Sequence, residues 1–120
     1  MHYPWLYEEL AAKPAATQDF KEEWQWTRFQ IGGKLFAAIC KDGTGKDSLL
    51  TLKLPPEENR FLREQYSDIL PGYYCNKEHW SSIRLDGAVP DSLVRELIET
   101  SYRLVLSGLS KKKQRELLGE

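Results

Sequence analysis

Two cysteines, two histidines and one methionine are all that this 120-residue chain holds of the sulfur and imidazole side chains. Two thiols do not make a disulfide framework, so Cys40 and Cys75, each set in an apolar or aromatic stretch, read as reduced thiols of a cytoplasmic protein. The longest apolar run, Leu35 to Cys40, falls far short of the roughly 18 residues of a membrane span. The start Met1-His2-Tyr3-Pro4-Trp5 has neither the basic nor the apolar region of a signal peptide. Neither charge dominates: 17 Lys and Arg stand against 18 Asp and Glu, for a net −1. That balance excludes a strongly basic binder of the histone type.

What the chain does have is core material. Aromatic residues make up 12% and hydrophobic residues 41%, which excludes a disordered tail, and the length suits one domain over 1–120.

Pro4 to Ala12 reads as a helix that Pro14 stops. Trp24–Ile31 and Lys34–Lys41 are β-rich runs joined by Gly32-Gly33, the clearest hairpin signal present. After the turn Asp42 to Lys46, Ser48–Leu54 alternates Leu50, Leu52 and Leu54 onto one face. Pro55-Pro56 starts a second helix striped with Phe61, Leu62, Gln65 and Tyr66, and Pro71-Gly72 closes that segment. Tyr73–Asn76 and Trp80–Leu85 are two more short strands. A long helix opens at Pro90, with Val94, Leu97, Ile98, Ser101, Tyr102 and Val105 as its buried face and Gly108 as its C-cap. A short basic turn, about 110–120, follows. The expectation is an α+β domain of order α-β(3)-α-β(2)-α, two-layered, with an antiparallel sheet.

Charge is unevenly distributed. The first 23 residues carry −3, while 24–54 carry +3 from Arg28, Lys34, Lys41, Lys46 and Lys53 against Asp42 and Asp47. Basic hairpins beside aromatics can hold phosphates and stack on bases. Lysines at strand ends also guard against aggregation, and Lys111 to Lys113 at the end of a helix would complement its dipole.

The segment Pro71 to Trp80 is the densest in chemistry-bearing side chains. Cys75 and His79 supply half a metal site, but only His2 and Cys40 remain to complete it and no CxxC or HxxxH spacing occurs. A nucleophilic Cys75 activated by His79 and Asp86 would need an oxyanion loop that the sequence lacks. Asp42-Gly43-Thr44-Gly45-Lys46 lacks the spacing and following helix of a phosphate-binding loop. No catalytic residue, metal or cofactor is therefore expected. Recognition is: Tyr73 as a stacking face, Asn76, Lys77 and His79 as polar and cationic tips.

Those residues carry a resemblance. Asn76-Lys77-Glu78-His79-Trp80, then Leu85-Asp86-Gly87, Pro90-Asp91 and Ser101-Tyr102, with Gly32 to Phe36 and Leu52-Lys53 upstream, resemble the signature of the MmcQ/YjbR family of small bacterial proteins, roughly from Trp5 to Lys113. The resemblance implies the same α-β(3)-α-β(2)-α two-layer fold, similar to that of secretion chaperones. It also implies DNA binding through hairpins described as a double wing, and it brings no catalytic residues. Arg28, Lys34, Lys46, Lys53, Tyr73, Asn76, Lys77 and His79 are the expected binding residues. A protein-interaction or chaperone-like module without a nucleic-acid role is the alternative. The expected state is a cytoplasmic monomer with DNA or another protein as partner and no membrane, a homodimer being the second option.

Overall fold

The computed structural model describes residues 1–72 and 76–119. A short helix α1 (Leu6–Ala11) precedes four strands, β1 (Thr17–Lys21), β2 (Trp26–Ile31), β3 (Lys34–Lys41) and β4 (Asp47–Lys53). Helix α2 (Pro56–Gln65) leads to β5 (Ile69–Pro71) and β6 (Trp80–Arg84), and α3 (Asp91–Ser107) and α4 (Lys111–Leu118) complete the chain. The six strands form one sheet in the order β1-β2-β3-β4-β6-β5, with every described pairing antiparallel.

Alternation along the strands sorts the sheet into two faces. Phe29, Ile31, Ala37, Ile39, Leu50, Leu52, Leu54, Ile83 and Leu85 point to one side and are buried against α1, α2 and α3. All six residues expected on the buried stripe of α3 are buried there. A bulge where β2 shifts register between Phe29 and Gln30 lets Phe36 join this side too, where its ring meets Tyr102 edge-on at 5.4 Å. No described helix is long and apolar enough to cross a membrane.

Gly32 and Gly33 have φ of +58° and +80°, the left-handed pair that a tight hairpin requires. Gly32 is also a contact point: a Cβ there would lie 2.8 Å from Leu109 and 3.2 Å from Leu117, so the absence of a side chain lets α4 seat against the turn.

Three expectations need correction. The sheet has a strand before the expected three: β1, reading Thr-Gln-Asp-Phe-Lys, has no apolar alternation and is a strand because β2 pairs with it over five residues. The strand beside β6 is Ile69–Pro71, a stretch the sequence reading assigned to the end of the second helix. Pro71 fits because β5 is an edge strand, where a missing N–H need not break the ladder. Of the strand expected at Tyr73–Asn76, residues 73–75 lie outside the described residues, and Asn76 belongs to a turn. Finally, the basic C-terminal turn is the start of a helix. Ser110 caps α4 by accepting from the Lys113 N–H at 3.1 Å, which sets Lys111, Lys112 and Lys113 at the positive end of the helix dipole, the opposite of a favourable placement.

Candidate functional site

The second face of the sheet carries no described helix in its apolar cluster, which consists of Trp26, Ala38 and Cys40 with Leu35 and Leu49 beside them. Strand register defines its rows. One row runs Lys21–Trp26–Cys40–Leu49–Arg84 from β1 to β6. The next runs Asp19–Arg28–Ala38–Thr51–Ser82–Leu70. Lys53 lies opposite Trp80 at one end. These rows hold four cations, Lys21, Arg28, Lys53 and Arg84, against the single carboxylate of Asp19, around a floor of aromatic, aliphatic and small side chains.

Arg28 and Asp19 form a two-pronged pair at 2.8 and 2.6 Å. The guanidinium holds the Asp19 carboxyl below its usual range, and the carboxylate in turn raises Arg28. Arg84 stands 3.9 Å from Asp68, and Lys21 pairs with Glu23 at 3.0 Å while its ammonium lies 5.4 Å from the centre of the Trp24 ring. Trp24, 54% exposed, packs edge-on against Trp26 at 5.2 Å. Within the floor, Thr51 and Ser82 share a hydrogen bond of 2.8 Å, and Cys40 Sγ lies 3.7 Å from the Thr51 hydroxyl.

A cavity of about 790 Å³ opens between the β1–β2 and β3–β4 turns, within the size range of small-molecule and cofactor sites. Trp24, Trp26, Leu35, Cys40 and Leu49 form its apolar lining, and Glu23, Lys41, Asp42 and Ser48 are its polar members. The Thr44 hydroxyl and the N–H groups of Thr44 and Lys46 hold the Asp42 carboxyl below its usual range. Among the described residues no group of three His, Cys, Asp or Glu side chains is placed to hold a metal ion.

The expected binding residues divide. Arg28 and Lys53 lie on the open face. Lys34 begins β3 and Lys46 precedes β4, so the two stand at opposite ends of the strand between them, as successive turns of an antiparallel meander must. The two hairpin tips therefore do not form one basic edge. Lys34, Lys46 and Lys53 make no ion pair among the described residues. Tyr73 lies outside the described residues.

Asn76, Lys77 and His79 sit on a turn held rigidly from below. The Asn76 side chain accepts from the Glu78 N–H at 3.0 Å, and its carbonyl accepts from His79 and Trp80. The carbonyls of the next four residues are each engaged: Lys77 and Trp80 by the Arg63 guanidinium, Glu78 by the Asn59 amide, His79 by the Leu54 N–H. Asn59 is fully buried and also accepts from the Ser81 hydroxyl at 2.6 Å. Burial lowers the pKa of Arg63. This turn, with Lys77 exposed and His79 half-buried, lies at the end of the sheet where Lys53 lies.

Sequence reasoning missed Lys21, Trp24, Trp26, Arg63 and Arg84 as site residues. For Trp26 a signal existed: within β2 the inward positions are Thr27, Phe29 and Ile31, so Trp26 occupies the side that otherwise carries Arg28 and Gln30. Arg63 is four residues from Asn59, one helical turn, and nothing else in the sequence marks it.

Comparison with known proteins follows the same outline. An uncharacterised Escherichia coli K12 protein, YjbR, is 34% identical over 113 residues, 94% of each chain. The uncharacterised Bacillus subtilis protein YyaQ is 46% identical over 63 residues, 52% of each. The crystal structure of a Deinococcus radiodurans protein with a DUF419 domain superposes with a TM-score of 0.82 at 33% identity, covering 93% of this chain and 84% of that one. A Pseudomonas syringae protein superposes at 0.72 with 26% identity over 88% of this chain and 99% of its own. The YjbR family model matches residues 11–104, most of the chain, and with the E. coli relative it makes this protein a member of the YjbR family.

Proposed function

We propose that this protein binds nucleic acid through the open face of its sheet, with Trp24 of the β1–β2 turn at its corner, and not through Lys34 and Lys46 at the β2–β3 and β3–β4 tips. The observation that carries the reading is the composition of the strand rows on that face: Lys21, Arg28, Lys53 and Arg84 frame the Trp24–Trp26 corner, with Asp19 the one carboxylate within those rows and Glu23 and Asp68 beside them. Cations of this kind hold phosphates without reading sequence. Exposed aromatic rings stack on unpaired bases, so a single strand suits the face better than a duplex. Lys77, on the turn fixed at the rim by Arg63 and Asn59, extends the cationic track, with the His79 imidazole beside it as a polar group. A protein-interaction role is the second reading. It is favoured by the carboxylates that already partner Lys21, Arg28 and Arg84, which leave the apolar floor as the larger attraction.

Fluorescence anisotropy with a labelled single-stranded oligonucleotide at low and near-physiological salt tests the proposal. The expected result is binding whose affinity falls steeply with salt, with a logarithmic slope reduced by about 0.7 for each phosphate contact removed. Arg28→Glu with Lys53→Glu is expected to weaken binding at least about tenfold, the scale of one or more lost phosphate contacts. Lys46→Glu, at the hairpin tip, is expected to change it little. Absence of binding at low salt, or equal loss from the tip variant, would overturn the open-face reading.

A further inference from the structure

The two edges of the sheet are built differently. β5 is three residues long and ends at Pro71, which blocks it as a template for another strand. β1 is five residues long, contains no proline or glycine, pairs among the described residues with β2 on one side only, and four of its five residues are exposed. Its Phe20 is 46% exposed.

We propose that β1 is a self-association edge, pairing antiparallel with β1 of a second copy about a two-fold axis at Phe20. The chemistry of the strand selects this partner and this register. Asp19 and Lys21 flank Phe20 and lie on the open face. Antiparallel pairing centred on Phe20 sets Asp19 of each copy opposite Lys21 of the other, twice, and brings the two phenyl rings together on the opposite face. Cross-strand pairs of opposite charge and of aromatic rings are the favourable ones. The register centred on Asp19 would instead oppose two carboxylates, which is unfavourable. Asp19 already bonds Arg28 and Lys21 already bonds Glu23, so pairing extends these into an alternating row of charges across the junction. The two-fold axis stands perpendicular to the sheet, so both open faces look the same way and form one surface twice as wide. The proposal does not depend on what that surface binds.

Light scattering across a concentration series tests it. The wild-type chain is expected to reach the mass of a dimer. Lys21→Asp leaves carboxylates facing carboxylates, and Asp19→Lys leaves ammonium groups facing ammonium groups. Each variant alone is expected to show half the wild-type mass. An equimolar mixture of the two is expected to regain the dimer mass, because opposite charges then face each other at both positions, and that recovery also shows that both variants fold. A monomeric wild type overturns the proposal. So does a dimer that survives in both single variants, and so does a mixture that stays monomeric.

Discussion

The hydroxyl of Ser101 on α3 accepts the backbone N–H of Lys53 at 2.9 Å and donates to the carbonyl of Phe36 at 2.6 Å. The described β3–β4 register begins with Ala37 opposite Leu52, so Phe36 and Lys53 are where the next rung would come. Ser101 takes the place of that rung and fastens the helix to the sheet. Ser101→Ala would leave a donor and an acceptor unpaired in the core. A loss of about 1–3 kcal/mol of stability is expected from the unsatisfied groups, measured by urea denaturation, with little change in fold by circular dichroism.

Arg63→Ala should act on the turn more than on the core. It removes the guanidinium that engages the Lys77 and Trp80 carbonyls and the Ser81 hydroxyl, while Asn59 still holds Glu78 and Leu54. Hydrogen exchange at the amides of residues 77–80 is expected to speed up well beyond that of β3, and oligonucleotide affinity to fall with it. Asn59→Ala, at a fully buried site, is expected to cost more global stability, about 2–3 kcal/mol, because several buried partners lose their bonds together.

Alkaline pH should expose the Tyr7 anchor. Burial first, and then its hydrogen bond to Asp47 at 2.8 Å, push the phenol up to about 12 from an ordinary 10.0. A folded-state pKa above the unfolded value stabilises the fold at neutral pH, and that contribution disappears as pH rises between the two. Stability measured by denaturant titration is therefore expected to fall from about pH 10 to about pH 12. Tyr7→Phe is expected to flatten that fall, with the residual slope set by Tyr3 and Tyr102, whose phenols burial also raises.

Ala15 should be improvable. It has φ of +62° in the turn that links α1 to β1, where the Ala16 N–H donates to the Lys13 carbonyl at 3.0 Å and Pro14 precedes it. Pro followed by a left-handed residue is the pattern of a type II turn, which favours glycine at this position. Ala15→Gly removes the left-handed penalty of about 1–2 kcal/mol and loosens the unfolded chain by about 0.5–1 kcal/mol. The expected net gain is between zero and about 1.5 kcal/mol, read as a raised denaturation midpoint.

Gly32-Gly33, the Leu50-Leu52-Leu54 alternation and the stripe of α3 were legible because each is a local pattern with one structural solution. β1 was not, because Thr17 to Lys21 is a strand through its neighbour and not through its own side chains. The displaced β5 shows the same limit: Ile69 and Leu70 are too few to establish a period, and Pro71 reads as a breaker unless the strand is known to be an edge. At the site, counting charges found Arg28 and Lys53 and also Lys34 and Lys46. Alternation along antiparallel strands separates them, because it fixes which cations share a face and which turns share an end.

Strand order also shapes how the chain reaches this structure. β1 to β4 are neighbours in both sequence and space, so the meander forms by closing only short loops. The β4–β6 rungs must wait for a loop that contains all of α2 and β5. The meander is therefore expected to organise early, with α2 and the β5–β6 pair adding later, an order readable from site-by-site folding kinetics.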